Sequence, residues 1–486
     1  MTCKITVPVT KYFSGGFNCM ARKMVYGIND TPPFFITVLS GAQHVLTLFG
    51  STTLVPLIFG PAMGMDALQI ASLISCVYFG MGVATLIQTS KKLGSGLPIV
   101  QGSSFSFIPS VMTVIALYKA SGPETVMQYM GGGLIAGGVI LSIIGYSKIV
   151  GVIQKVITPV VIGPVIMAIG FSLAGTAVQG NAANYWPASL GVVVLIFLFS
   201  LVLKNKYINI FAILLAIVIT YCVCLALSMN GTFTPEHPAY INLARVTEAP
   251  WIRDVKNVVI PWGMPKFSLM AFAALLAGFF ATMIESIGDY HSVSYASGVD
   301  DPDADTISRG IGAEGLCCAL SGVFGSVGTT SYTENIGLIG LTGVASRVVV
   351  RTGAVILILM SFVGKLSALI ATMPSPIIGG AYIALFGTIG AMGIQVLMRA
   401  DMSSQRNILI IGFAFLMALG LPGWVEANQS LFMNPESSQF MQTLGGMVWA
   451  VLKTPMAVAG VCAAVCDSLI PGTDEERGIN VKPRGI

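Results

Sequence analysis

Apolar stretches of about 20 residues, the length that spans a bilayer as a helix, recur from one end of this chain to the other, and nothing constrains its fold more. Lipid offers no partner to an unpaired backbone N–H or C=O, so such stretches cross as helices whose hydrogen bonds are internal. Runs bounded by charges, Pro or Gly give fourteen candidate spans, near 34–60, 67–89, 97–118, 128–147, 157–178, 187–203, 207–228, 268–290, 310–326, 329–342, 347–371, 377–398, 407–424 and 443–469. Only 9% of the 486 residues are charged, against roughly 25% in a soluble domain. That excludes an ordinary cytosolic enzyme. A net charge of +4, small and dispersed, also excludes a nucleic-acid binder.

An even number of spans puts both termini on one side, and cytoplasmic segments should carry the excess of Lys and Arg. With the termini inside, 18 of the 25 basic residues fall on cytoplasmic segments or span ends. Residues 1–33 lack an apolar core followed by a small-residue cleavage site, so they read as a cytoplasmic tail. Residues 470–486 read the same way, in a multi-pass protein of the plasma (inner) membrane. Seven Cys lie within spans, and Cys3 and Cys19 lie in the reducing-side tail, so no disulfide framework is expected. Cys462 and Cys466 share a helix face with no His nearby, which reads as packing and leaves no metal site expected.

The longest linker, 229–267, is polar, placed outside, and separates seven spans (34–228) from seven (268–469). An odd number per half turns the second half upside down relative to the first, the plan of transporters built from inverted repeats. The expected fold is therefore an all-α polytopic membrane protein of 14 spans in two inverted seven-span repeats. Spans 1 and 8 should then play related roles, as should spans 3 and 10.

Carboxylates in hydrocarbon are costly and usually face a cavity or a partner. Within spans they are Glu285, Asp289, Glu314, Glu334 and Asp467, the last read as interfacial. Glu285 and Asp289, four residues apart, share one helix face, while Gln43 and His44 form the polar step in span 1. Spans 1 and 8 thus read as two walls of one polar pocket. Spans 3 and 10 break the helical pattern in matching ways, through Gln101-Gly-Ser-Ser-Phe105-Ser-Phe107 and Thr329-Thr-Ser-Tyr332-Thr333-Glu334-Asn335. Non-helical backbone at membrane depth persists only where protein or a water-lined cavity satisfies it. Two half-helices would then direct their N-terminal amides at the midplane, a site for carbonyl oxygens or partial negative charge. Taken singly, each hydroxyl or acid could be a packing residue; taken together, their symmetric placement points to a site. His44 reads equally as a helix-contact histidine or a proton carrier, and His291 as structural. The acidic run Asp300 to Asp305 reads as a turn capping the next helix rather than a calcium loop.

The stretch Glu334-Asn335-Ile-Gly337-Leu-Ile-Gly-Leu-Thr342-Gly343 resembles, without a mismatch, the signature of the nucleobase–ascorbate transporter family. Gln43-His44, the Gln101 to Phe107 stretch and Glu285-Ser-Ile-Gly-Asp289 join it, so the resemblance covers residues 34 to 470. Among relatives the chain is similar to the bacterial uracil and xanthine permeases. The resemblance implies a core domain (spans 1–4 and 8–11), a gate domain (spans 5–7 and 12–14), a homodimer, and symport of a nucleobase with protons, with no cofactor beyond that coupling ion. It implies that Glu285 and Glu334 bind the base, that Phe105 packs on its ring, and that the Thr333 amide faces a carbonyl. Asn335 and Gln43 join that substrate-binding set, with Glu314, Asp289, Glu285 and His44 for proton coupling. Asp289 agrees with xanthine and urate carriers, whereas Glu334 is more like the uracil carriers. The balance leans to a purine.

Nucleobases are flat rings edged with N–H donors and C=O acceptors, which carboxylates, helix amides and an aromatic face complement. A sodium-coupled ascorbate or other organic anion carrier is the alternative, with Glu334 against it because relatives of that kind have Pro there. A membrane-embedded enzyme lacks support, since no HExxH, paired His cluster, GxSxG or nucleotide-binding loop accompanies the acids.

Overall fold

The computed structural model describes residues 24–150, 158–203, 205, 208–209, 211–254, 258–433 and 438–478. Most of the expected N-terminal tail, the end of the C-terminal tail, the basic residues Lys155, Lys204, Lys206 and Lys256, and Cys3 and Cys19 lie outside the described residues.

Fifteen helices of ten residues or more and one short two-stranded ladder are present among the described residues. In chain order these are α1 (Phe34–Met63), α2 (Ala67–Gln88), β1 (Gln101–Ser103), α3 (Ile108–Tyr118), α4 (Pro123–Tyr146), α5 (Pro159–Ser172), α6 (Trp186–Phe197), α7 (Ala212–Met229) and α8 (Leu269–Ala296). They continue with α9 (Ala304–Val323), β2 (Thr329–Ser331), α10 (Thr333–Thr342), α11 (Arg347–Ser361), α12 (Ser375–Leu397), α13 (Gln405–Ala427), α14 (Gln439–Leu452) and α15 (Pro455–Leu469). Among the described residues eight helices are long and apolar enough to cross a bilayer, nine if the bent pair α14 and α15 is counted as one. The chain is thus a predominantly helical, polytopic membrane protein. The other expected spans fall on shorter or interrupted elements. Span 6 is a short apolar helix, span 9 lies on the unbroken but more polar α9, which has Asp305 and Arg309 ahead of the expected bounds and Glu314 within them, and span 11 breaks after Ser361 before resuming at Gly364. The expected last span, 443–469, is two helices meeting at 86°.

Local chemistry sets several boundaries. Asp66 caps α2 by accepting the Gln69 amide while the Gln69 side chain returns to the Asp66 amide. Asp303 caps α9 by accepting the Thr306 amide at 2.8 Å, the role read for the acidic run. Gly343 ends α10 in the left-handed conformation, at φ 69°, which a side chain would strain.

Small residues bring helices into near backbone contact, as membrane packing requires. A Cβ on Gly138 would come within 2.5 Å of the Gly315 carbonyl, and one on Gly145 within 2.1 Å of the Gly312 amide. The Gly-rich stretch of α4 thereby seats α9. Gly41 of α1 meets Gly353 of α11, and Gly170 of α5 meets Gly390 of α12, in the same way.

In the interior, β1 and β2 pair antiparallel, Gln101 with Ser331, Gly102 with Thr330 and Ser103 with Thr329. The ladder satisfies backbone that would otherwise lie unpaired at membrane depth, which resolves the difficulty posed by the two broken spans. Gly102 is required there because a Cβ would fall 2.3 Å from the Tyr332 ring. Each strand feeds a helix, β1 through a helical turn at Phe105–Phe107 into α3, and β2 directly into α10. The two helix starts therefore lie at opposite ends of one ladder.

Candidate functional site

The acids of α8 converge on the ladder. Glu285 Oε2 accepts from the Ser106 hydroxyl at 2.9 Å and from Thr330 at 3.5 Å. One turn on, Asp289 Oδ2 accepts from Ser331 at 2.6 Å and Oδ1 from Thr333 at 2.8 Å. The four-residue spacing puts both on the face that meets β2 and the start of α10. Asp289, Glu314 and Glu334 are near enough to Glu285 to act on it electrostatically. Among the described residues no cation bonds these acids, and every partner named here is a hydroxyl.

The donors belong to the two stretches that break spans 3 and 10, though the pattern alone does not say which hydroxyl meets which acid. Ser106, Thr330 and Ser331 are buried, in positions where Ser and Thr could equally bond their own backbone. Only the ladder brings them to the acids.

Glu334, in the first turn of α10, accepts from Ser51 of α1 at 3.2 Å. Glu334 is exposed and Glu285 half-buried, so each has open space beside it. A Cβ on Gly288, Gly337 or Gly387 would meet nothing within 4 Å. Phe105, next to Ser106 in the chain, lies edge-to-face with Phe386 of α12 at 6.3 Å between centroids, and Phe386 stacks on Tyr382. Phe386 is a wall residue that sequence reading did not single out, since one Phe in an apolar helix carries no signal.

The remaining candidates lie behind this edge. Thr333 turns its hydroxyl onto Asp289. Asn335, one residue past Glu334 and so about 100° around the helix, is buried, and its Nδ2 donates to the His44 carbonyl at 2.9 Å and lies 3.1 Å from His44 Nδ1. His44 is buried as well, so the pair fastens α1 to α10. Gln43 is half-buried. Spans 1 and 8 were expected to form two walls of one pocket; instead α10 stands between them, met by His44 and Ser51 on one side and by Asp289 on the other. Glu314 is wholly buried, its carboxylate taken by Thr282 and, at 3.4 Å, by the Tyr290 hydroxyl.

Asp467, read from sequence as interfacial, is buried at the end of α15. It holds Arg406 and Arg477, each at 2.8 Å, and Thr158 at 3.0 Å. His291 is exposed and lies 3.4 Å from Asp301. Cys462 and Cys466 pack against an apolar cluster of α5, α12 and α13.

Broken segments crossing inside a helical membrane bundle, with acids gathered at their junction, define a membrane transporter. Comparison with known proteins carries this further. A profile described as "Permease family" matches residues 35–427. The chain is 31% identical to human solute carrier family 23 member 2, over 97% of this chain and 78% of that protein. It is 32% identical to rat solute carrier family 23 member 1, over 94% and 82%, and 29% identical to Arabidopsis thaliana nucleobase-ascorbate transporter 12, over 94% and 71%. The chain belongs to the nucleobase–ascorbate transporter family, and its members are transporters, not enzymes. Its fold is similar to that of the transmembrane domain of a cyanobacterium bicarbonate transporter, BicA, with 13% identity and a TM-score of 0.54 over 90% of this chain and 99% of that one. It is also similar to murine Solute Carrier 26 family member A9, an anion transporter in the inward-facing state, with 10% identity and a TM-score of 0.56 over 80% and 66%.

Proposed function

We propose that this protein takes up a nucleobase, xanthine, uric acid or uracil, by proton symport with alternating access. The observation that supports the reading is the gathering of Glu285, Asp289 and Glu334 at the ladder from which the two helix starts leave, with Phe105 next to the Ser106 that bonds Glu285. The carboxylates accept from ring N–H groups, the first-turn amides of α10 meet a ring carbonyl, and Phe105 covers the ring face. Among the described residues the side chains that donate to these acids are hydroxyls, so each acid can change its charge without leaving a buried cation unpaired. Binding a proton and a base together then becomes favourable, and losing both on the inner side completes the cycle. Glu285, Asp289 and Glu314 carry the coupling, with His44 adjusting α10 through Asn335. Gln43, beside His44 on α1, completes the proposed substrate-binding set.

Fourteen spans in two inverted repeats accommodate the packing. The contact of α4 with α9 has its counterpart in α11 with α2, and that of α6 with α12 in α13 with α5. These are the pairs an upside-down second half would produce. Spans 1–4 and 8–11 form a core that rocks against a gate of spans 5–7 and 12–14. The protein works as a homodimer in the plasma membrane with both termini inside. A sodium-coupled organic anion carrier is the less favoured reading, because Glu334 reaches the open space and would repel an anion.

Uptake of labelled xanthine and uracil in a transport-deficient host tests the assignment. Glu285→Gln is expected to abolish proton-driven accumulation of the base. Full accumulation by that variant would sink the reading.

A further inference from the structure

Glu314 is the acid that substrate cannot reach. It is wholly enclosed between α8 and α9, yet a line of hydroxyls connects it to the edge of the site. Ser331 donates to Asp289 at 2.6 Å, and the Ser331 and Ser286 hydroxyls lie 3.0 Å apart. Ser286 stands one helical turn from Thr282 and one from Tyr290, whose hydroxyls both bond the Glu314 carboxylate, and so lies on the α8 face that Glu314 packs against. Both serines are buried, so bulk water does not compete for these bonds.

We propose that Ser286 and Ser331 form a two-hydroxyl bridge that passes the coupling proton between Asp289, at the site, and Glu314, behind it; this rests on the proton-symport reading above. The transfer balances without any further reactant. The Glu314 carboxyl gives its proton to Ser286 Oγ, Ser286 gives its own to Ser331 Oγ, and Ser331 gives its own to Asp289 Oδ2. Each hydroxyl ends with one proton, Glu314 ends as the anion and Asp289 as the neutral acid. The titratable groups facing this line are Glu285, Asp289 and Tyr290 of α8, Cys317 and Cys318 of α9, and Glu334 of α10. No cation is among them, so nothing holds either acid permanently charged. Gln88 of α2 donates to the Tyr290 oxygen and to the Gly310 carbonyl, at 3.1 Å for the latter, and so fixes the phenol that closes the inner end. Ser286 and Ser331 are positioning residues: they act through the acids and not on the base.

The full chain in liposomes, with labelled xanthine and uracil, separates this role from a packing role. Exchange of base across the membrane at equal pH needs no net proton movement, whereas accumulation driven by an inward proton gradient does. Ser286→Ala is expected to keep exchange within about twofold and to lose gradient-driven accumulation by at least about tenfold. Ser286→Thr, which keeps the hydroxyl, should restore it. Equal retention of both modes overturns the bridge. Equal loss of both in Ser286→Ala and Ser331→Ala also overturns it, since the serines then merely support the fold. Wild-type protein that exchanges base but never accumulates it on a proton gradient overturns the symport reading itself, and the bridge with it.

Discussion

Two groups of buried carboxylates in this protein are built on opposite principles. At the end of α15, Asp467 is enclosed with Arg406 and Arg477, so its charge is matched at short range. At the ladder, Glu285, Asp289, Glu314 and Glu334 are met by Ser, Thr and Tyr hydroxyls. A matched pair is fixed in one charge state, because neutralising either member strands the other in a low-dielectric interior. A hydroxyl-lined acid is tied to none. It is supported as an anion by the donor and, once protonated, can itself donate to the same oxygen. The first arrangement suits a clamp, and the second suits a group that must gain and lose a proton or a ligand during a cycle.

The contrast breaks most sharply at Glu285. Glu285→Gln should reduce uptake by about a hundredfold or more, the scale of losing a group that acts directly on the transported species, with the thermal midpoint of the purified protein held or raised. A variant that unfolds instead would make Glu285 a clamp like Asp467. The opposite pattern is expected at the other cluster. Asp467→Asn leaves the buried Arg406 guanidinium and the partly buried one of Arg477 without their counter-charge, at a cost of ~3 kcal/mol, read as a lowered midpoint in a thermal melt with transport per folded molecule preserved. Joint replacement of Asp467 by Leu and Arg406 and Arg477 by Met should recover most of that loss, and failure to recover would assign the cluster a role beyond its mutual pairing. The smallest effect is expected at Ser51, whose single bond to Glu334 is worth about 1 kcal/mol. Ser51→Ala should shift apparent affinity by about fivefold in a concentration series while leaving the maximal rate nearly unchanged.

Reading the chain from sequence reached some of this and stopped at an identifiable place. Glu285 and Asp289 were legible because a four-residue spacing on a helix fixes a shared face wherever the helix ends up. The breaks at Gln101 and Thr329 were legible because Gly and hydroxyl residues interrupt an otherwise continuous apolar pattern. Ser106, Ser331 and Ser51 were not, since a serine in a membrane helix bonds its own backbone as readily as a distant acid. Asn335 was grouped with the site on the strength of its neighbour, yet one step along a helix turns a side chain about 100° and carries it to His44. Asp467 was read as interfacial from its place near the end of the last span; its partners Thr158 and Arg406 lie far off in sequence, and no local pattern announces them.

Span length, the scarcity of charge and the position of each acid are properties of the chain, fixed by the cost of exposing polar groups to hydrocarbon, and they already define a multi-pass membrane protein with a polar interior. Which hydroxyl meets which acid is different. It depends on an antiparallel pairing between segments more than two hundred residues apart, and such a register is set only when the whole bundle closes around it, because a hydrogen bond between distant residues has no counterpart in the local pattern.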